Sequence, residues 1–389
     1  MKILIASDLY WPVINGVSTF TRSLAQGLAA RGHDVLVIAP SQTGKKYREI
    51  DGKYTIARTA TVVFPFYQNY RISLTPYREV KKIIDEFQPD VIHIQTVLMI
   101  GQAVMKYGNK SAIPIVGTNH AMPENLMDNL KLLAPLSKPI SLMLTKFGVR
   151  FYSKVDYFTM PTQSALEMFD LSKSKWNAPT EAVSNGIDLS TFTVGKPDKE
   201  VLKKFKIPTD KPIITFLGRV DAEKHVSVLV RAFAEVVAKK DATLLIIGSG
   251  TDIDNLKSLV TELGLNDKVI FTGRITDEEK VEIYKAGTVF CMPSPAELQS
   301  IVMLEAMASG QPVVAVDAGP LKELCQDGIN GYLCEVDNHQ EIAEGLSKII
   351  SDPKLHEKMS GASIKIAGTH DLTKTLERFE QIYKSLIKK

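Results

Sequence analysis

What most constrains this chain is an alternation that runs through both halves of it: short apolar runs, each followed by a polar loop and a helical pattern. Lys2-Ile3-Leu4-Ile5-Ala6 is the first such run. It is too short for a helix and lacks the alternation of a half-exposed strand, so it reads as a strand buried on both faces. A loop punctuated by Pro12 and Gly16 follows, and then residues 17–31, with Phe20, Leu24 and Leu28 at four-residue spacing. Gly32 stops that helix, and residues 35–38 form the next strand. A strand, a helix and a second strand in this order make a right-handed crossover unit.

The alternation continues with a helix at 80–87 and strands at 91–94, 114–118, 157–160 and 181–183. A lysine-rich polar stretch, 195–212, reads as a hinge. A second series then places strands at 213–217, 243–247, 269–271, 289–292, 313–316 and 332–334. Helices fill its gaps at 226–239, 252–263, 277–286, 302–308 and 340–350. The expected fold is α/β, with two Rossmann-like, doubly wound parallel-sheet domains at 1–195 and 196–370. The last segment, 371–389, is amphipathic, with Leu376, Phe379, Ile382, Tyr383 and Leu386 at helical spacing. It either packs on the second domain or crosses back to the first. Ligands of such sheets sit at the carboxyl ends of the strands, so the cleft between two such domains is the default active site.

Composition narrows the partners. Net charge is +3 over 389 residues, with no nucleic-acid motif, which argues against nucleic acid. Residues 1–190 carry 21 basic and 15 acidic side chains, and the remainder 26 and 29, so the first half favours an anionic partner. No signal peptide or spanning helix is recognisable. The three cysteines, Cys291, Cys325 and Cys334, lie in apolar stretches and read as buried thiols in a reducing compartment. The expected location is cytoplasmic, with a peripheral membrane contact described below.

Several strand-end residues have chemistry suited to an anion. Gly218-Arg219 and Lys224 follow an apolar strand, where cations would meet a phosphate; such a Gly-Arg is also a common solvated turn. Glu297 and Glu305 straddle a loop and a helix start, with the backbone of Gln299, Ser300, Ile301 and Val302 at its N-terminus. Glu305 sits among apolar neighbours, which rarely bury a carboxylate without a partner. Gly16 opens a helix after the first strand, and His120 follows another. Asp252-Ile253-Asp254 is an Asp-x-Asp, but at a helix start its acids read as dipole caps rather than metal ligands.

In order along the chain these pieces resemble the family 4 glycosyltransferases, whose fold is called GT-B. The resemblance runs from Trp11-Pro12 and Asn15-Gly16-Val17 through Gly32-His33-Asp34-Val35 and Pro89-Asp90-Val91-Ile92-His93. It continues with Ser184-Asn185-Gly186-Ile187-Asp188, Gly218-Arg219 with Glu223-Lys224, and Gly273-Arg274-Ile275. It closes with the Glu297-to-Glu305 spacing and Asn330-Gly331-Tyr332-Leu333. The resemblance implies a retaining, metal-independent hexosyl transfer from a nucleotide-diphosphate sugar, with no cofactor. It implies that Arg219 and Lys224 hold the diphosphate and that Glu305 binds ribose. Glu297 and the Gln299–Val302 backbone would hold the sugar. Ile275 would lie beside the base, Gly16 would close over the phosphates, and His120 would approach the reacting sugar.

Where many members have Glu-Gly-Phe-Gly, this chain has Glu297-Leu298-Gln299-Ser300. The Gln variant resembles diacylglycerol glucosyltransferases, which makes UDP-glucose the expected donor and a lipid the expected acceptor; a soluble or polysaccharide acceptor is the alternative. An epimerase, a phosphorylase or a sugar-binding module fits the motif set less well. A separate observation favours a membrane. Lys131, Lys138, Lys146, Arg150 and Lys154 are interleaved with large apolar residues, a mix suited to an interfacial helix on an anionic surface. An amphipathic helix packed on its own domain would look similar.

Overall fold

The computed structural model describes residues 1–13, 15–64, 70–120, 137–169 and 176–388. Contacts divide the chain into two units. The described parts of the first come from residues 1–120, 138–185 and 373–388, and those of the second from Ser137 and Gly186–Leu372. The sheet change therefore falls at Asn185/Gly186. The stretch 195–212 is not a plain linker, because it holds the helix Lys199–Lys204, whose first turn is capped by Asp198 Oδ1 accepting from Glu200 N at 2.8 Å.

In the first unit the strands are β1 (Lys2–Ala6), β2 (Asp34–Pro40), β3 (Tyr47–Asp51) and β4 (Tyr54–Thr59). They are followed by β5 (Val62–Phe64), β6 (Tyr70–Ile72), β7 (Val91–Ile94), β8 (Ile115–Thr118), β9 (Tyr157–Met160) and β10 (Thr180–Ala182). Eight of them form one sheet in the order β10-β9-β8-β7-β1-β2-β4-β3. All its pairings are parallel except β3 with β4. The buried-on-both-faces reading of β1 holds, since Ile3, Leu4, Ile5 and Ala6 are all buried. The first helix is Gly16–Ala30, capped by Asn15, and Gly32 follows it at φ 87°.

The final helix, Leu372–Ile387, packs in this unit. Leu376, Phe379, Ile382, Tyr383 and Leu386 are its buried face. Arg378 forks onto Glu181, with Nη2 2.6 Å from Oε2 and Nε 2.8 Å from Oε1, and Arg31 Nε meets Glu380 Oε1 at 2.8 Å.

The second unit holds β11 (Ile213–Leu217), β12 (Thr243–Ile247), β13 (Val269–Gly273), β14 (Val289–Met292), β15 (Val313–Val316) and β16 (Gly331–Cys334). Their order is β13-β12-β11-β14-β15-β16, parallel throughout. This is the order 3-2-1-4-5-6 of a dinucleotide-type α/β sheet. Two apolar clusters pack on it, and the three cysteines lie buried in the larger as free thiols. Burial pushes Cys334 up to about 12.

Candidate active site

A parallel sheet wound outward in two directions opens a crevice where the winding reverses. In the second unit that point lies between β11 and β14, so the loops leaving these strands must face each other. One loop carries Gly218 to Lys224 and the other Ser294 to Ser300. The topology alone thus gathers Arg219, Lys224, Glu297, Gln299 and Ser300, which lie far apart in sequence.

The first loop is held by its own carboxylates. Asp221 is buried and accepts from Thr251 N at 2.8 Å and Thr251 Oγ1 at 2.9 Å, pinning it to the loop after β12. That loop lies so close that a Cβ on Gly248 would stand 2.0 Å from the Gly218 carbonyl oxygen, so only glycine fits there. Arg219 Nη1 reaches Asp221 Oδ2 at 2.5 Å, and Nη2 bonds Glu223 Oε1. Ser294 Oγ donates to the Glu223 carbonyl at 3.3 Å, joining the two loops.

Across the same gap Lys224 Nζ donates to Glu297 Oε1 at 2.8 Å and to the Ala296 carbonyl at 3.3 Å. Two cations therefore stand among three carboxylates, Asp221, Glu223 and Glu297. Their formal charges sum to −1, so an anion binds here only by taking the guanidinium and ammonium over from these carboxylates.

Gln299 and Ser300 are buried just before the helix Ile301–Ala308. Ser300 is its N-cap residue, yet its side chain makes no capping bond, and its buried Oγ has no partner among the described residues. Glu305 lies one turn inside this helix and is buried. Its partner comes from the helix Asp277–Ala286: Lys280 Nζ donates to Glu305 Oε1 at 2.8 Å, and Tyr284 OH lies 3.1 Å from Oε2. Burial raises the Glu305 carboxyl above its ordinary range, and the Lys280 ammonium opposes that shift. Lys280 also stands 5.1 Å from the Phe192 ring centroid. Ile275, half-buried after β13, packs with Ile213, Leu245 and Ile247.

Asp252 does precede the helix Ile253–Glu262, but its side chain makes no capping bond and instead accepts from Asn255 Nδ2 at 2.7 Å. Among the described residues no group of three His, Cys, Asp or Glu gathers as a metal site.

The first unit has its own reversal point, between β1 and β7. Gly16 begins the helix after β1, and nothing lies within 4 Å of where a Cβ would be, so its backbone is open to approach. Asp8, after β1, is buried and accepts from Thr96 Oγ1 at 2.8 Å, Ile100 N at 2.8 Å and Gly101 N at 3.3 Å. It thereby fills the N-terminus of the helix Met99–Lys110. Burial raises the Asp8 carboxyl despite these bonds. His120, after β8, bonds Gln95 Oε1 through Nε2 at 2.7 Å. Burial lowers its pKa to about 3, so the imidazole is neutral at pH 7 and Nε2 is the donor in that bond.

Lys280, Tyr284, Asp221, Glu223 and Gln95 were not predicted from sequence. Only Glu223 had a local signal, its position in the Glu223-Lys224 motif.

Comparison with known proteins gives matches in both units. Residues 14–191 match the family described as Glycosyltransferase Family 4, and residues 197–366 match Glycosyl transferases group 1. The alpha-monoglucosyldiacylglycerol synthase of Streptococcus pneumoniae is 28% identical over 92% of this chain and 80% of its own length. The GDP-mannose-dependent alpha-mannosyltransferase of Corynebacterium glutamicum is 25% identical over 93% and 84%. Among solved structures, the sucrose-phosphate synthase of Thermosynechococcus elongatus superposes with a TM-score of 0.82, covering 99% of this chain and 98% of that one at 20% identity.

Proposed function

The chain belongs to the family 4 glycosyltransferases of GT-B fold, and from that premise we propose that it moves a hexose from a nucleotide-diphosphate sugar, UDP-glucose first, to a diacylglycerol-type lipid, with retention at the anomeric carbon. The observation that carries this reading is the Arg219–Lys224–Glu297 cluster at the reversal point of the second sheet. A diphosphate entering there exchanges carboxylate partners for phosphate oxygens on two cations that are already positioned. That preorganisation stabilises the charge that develops as the sugar–phosphate bond breaks. Glu297, released from Lys224, faces the sugar hydroxyls. Glu305, held rigid by Lys280 and Tyr284, accepts from the ribose. The acceptor oxygen bonds the anomeric carbon on the face the diphosphate leaves, and a departing phosphate oxygen takes the acceptor proton. By the family resemblance His120, neutral and bonded to Gln95, would approach the reacting sugar, and Gly16 would close over the phosphates.

A lipid acceptor is supported by the helix Ser137–Tyr152, where Leu142, Met143 and Phe147 are exposed. Their helical spacing with Lys146 and Arg150, both exposed, puts apolar and cationic groups on one face, and the exposed Lys154 follows two residues past the helix end, as an anionic membrane surface requires. Lys131 lies outside the described residues, as does the side chain of Lys138. Trp11, Leu98 and Met99, exposed at the carboxyl ends of β1 and β7, add apolar surface suited to acyl chains.

The test is a donor screen across UDP- and GDP-sugars, with and without diacylglycerol in anionic liposomes. Turnover of UDP-glucose accelerated by the lipid is the expected result. Acceleration only by soluble glycans would overturn the lipid acceptor.

A further inference from the structure

Two routes tie the helix Leu372–Ile387 to His120 inside the first unit. One is a succession of rings: the His120 imidazole centroid lies 5.0 Å from that of Phe20, and Phe20 lies 6.1 Å from Phe379. The other is a buried hydrogen-bond chain. Tyr383 OH lies 2.7 Å from His93 Nδ1, His93 Nε2 lies 2.6 Å from Thr118 Oγ1, and Thr118 Oγ1 lies 2.6 Å from Thr159 Oγ1. Thr118 ends β8, the strand that delivers Asn119 and His120. Phe379 lies 4.9 Å from His93, so the two routes meet. Phe20, His93, Phe379 and Tyr383 are all 1% exposed or less.

Docking the helix does not require this chain of polar groups. Leu376, Ile382 and Leu386 already bury apolar surface, and a neutral buried hydrogen bond adds only about 1 kcal/mol net. What a satisfied buried network supplies is fixed geometry. Its far end lies at the strand terminus that carries His120, and Gln95 holds Nε2 of the same ring.

We propose that Phe379 and Tyr383 are positioning residues for His120, so that the seating of the helix Leu372–Ile387 sets the orientation of this imidazole for glycosyl transfer. The proposal rests on the reading of His120 given above. Tyr383 fixes the end of β8 through His93, and Phe379 backs Phe20 against the imidazole.

The test is a double-mutant cycle on the full chain. Tyr383→Phe removes one hydroxyl and keeps the ring. It is expected to lower kcat about tenfold while donor KM stays within about twofold. Added to His120→Ala, it is expected to cause no further loss, because its effect runs through that ring. Phe379→Leu is expected to behave alike. A Tyr383→Phe effect that multiplies fully with His120→Ala would overturn the proposal. If His120→Ala alone keeps wild-type kcat, the reading of His120 has failed instead. Positioning is then decided by ¹⁵N NMR of the histidine rings: in wild type His120 shows the neutral Nε2–H form, and Tyr383→Phe should move its resonances. Unmoved His120 signals in both variants would overturn positioning irrespective of activity.

Discussion

Lys280 Nζ and Glu305 Oε1 lie 2.8 Å apart, joining two helices of the second unit with both side chains largely out of water. Burial raises the Glu305 carboxyl and the Lys280 ammonium opposes that shift, so neither side chain is easily left without the other. Lys280→Met is therefore expected to cost about 3–5 kcal/mol of stability, the usual loss when one partner of a buried pair is removed. It should also raise the Glu305 pKa further. Urea unfolding checks the first effect.

Glu305→Gln keeps the shape and removes the charge. Nucleoside diphosphate affinity should fall about tenfold, the value of a charge-assisted hydrogen bond to the ribose. Glu297→Gln should leave that affinity within about twofold and instead lower kcat. Calorimetric titration with UDP separates the two, and equal losses of affinity would refute the division of labour.

Arg219→Ala and Lys224→Ala are each expected to remove about 2–4 kcal/mol of transition-state stabilisation, roughly 30- to 1,000-fold in rate. Activity of the wild type should survive EDTA. If it is abolished by EDTA and restored by manganese, the charge comes from a metal and not from this pair.

His93 is wholly buried, and burial, assisted by the nearby His120, lowers its pKa from 6.5 to about 3. The unfolded chain takes up a proton below pH 6.5 that the folded chain refuses, so stability is lost as pH falls from 6.5 towards 3. One such histidine contributes a slope of about 1.4 kcal/mol per pH unit. Denaturant unfolding at pH 7, 6, 5 and 4 should show it, and His93→Gln should flatten the curve by that amount.

Changing Lys146, Arg150 and Lys154 to Glu should abolish binding to anionic vesicles, since each cation near such a surface contributes about 1 kcal/mol. Rising salt should release the wild type in the same way. Donor hydrolysis by water should persist in the variant. Cosedimentation with anionic and neutral liposomes decides it, and equal, negligible binding to both would remove the membrane contact.

The strand-end residues were legible because alternation fixes which loops share an edge of a parallel sheet. That rule and their charge single out Arg219, Lys224 and Glu297, the apolar context singles out Glu305, and the roles of all four rest on the family resemblance. Lys280 was not legible, since its helix reads as an ordinary charged surface helix and nothing local says that one lysine turns inward. The contact of Tyr383 with His93 joins residues near opposite ends of the chain, beyond any local pattern. The hairpin of β3 and β4 was missed although it left a signal: Asp51-Gly52 between alternating residues, with Gly52 at φ 59° opening a two-residue turn. The interior of the lysine-rich stretch was read as hinge because its polarity hid the short helix at Lys199–Lys204.

The return of the helix Leu372–Ile387 to the first unit also bears on how the protein is made. During synthesis the strands of the first unit are made early, but the side chains that bury His93 and back Phe20 are translated only after Gly186–Leu372. The apolar core of the second unit is drawn from Ile187 to Ala367 and can be completed first. The nascent first unit waits with an apolar seam uncovered along the helix Gly16–Ala30, where a Cβ on Gly27 would strike Leu376 at 2.4 Å. Released chains truncated before Leu372 should therefore be captured by chaperones more than the full chain.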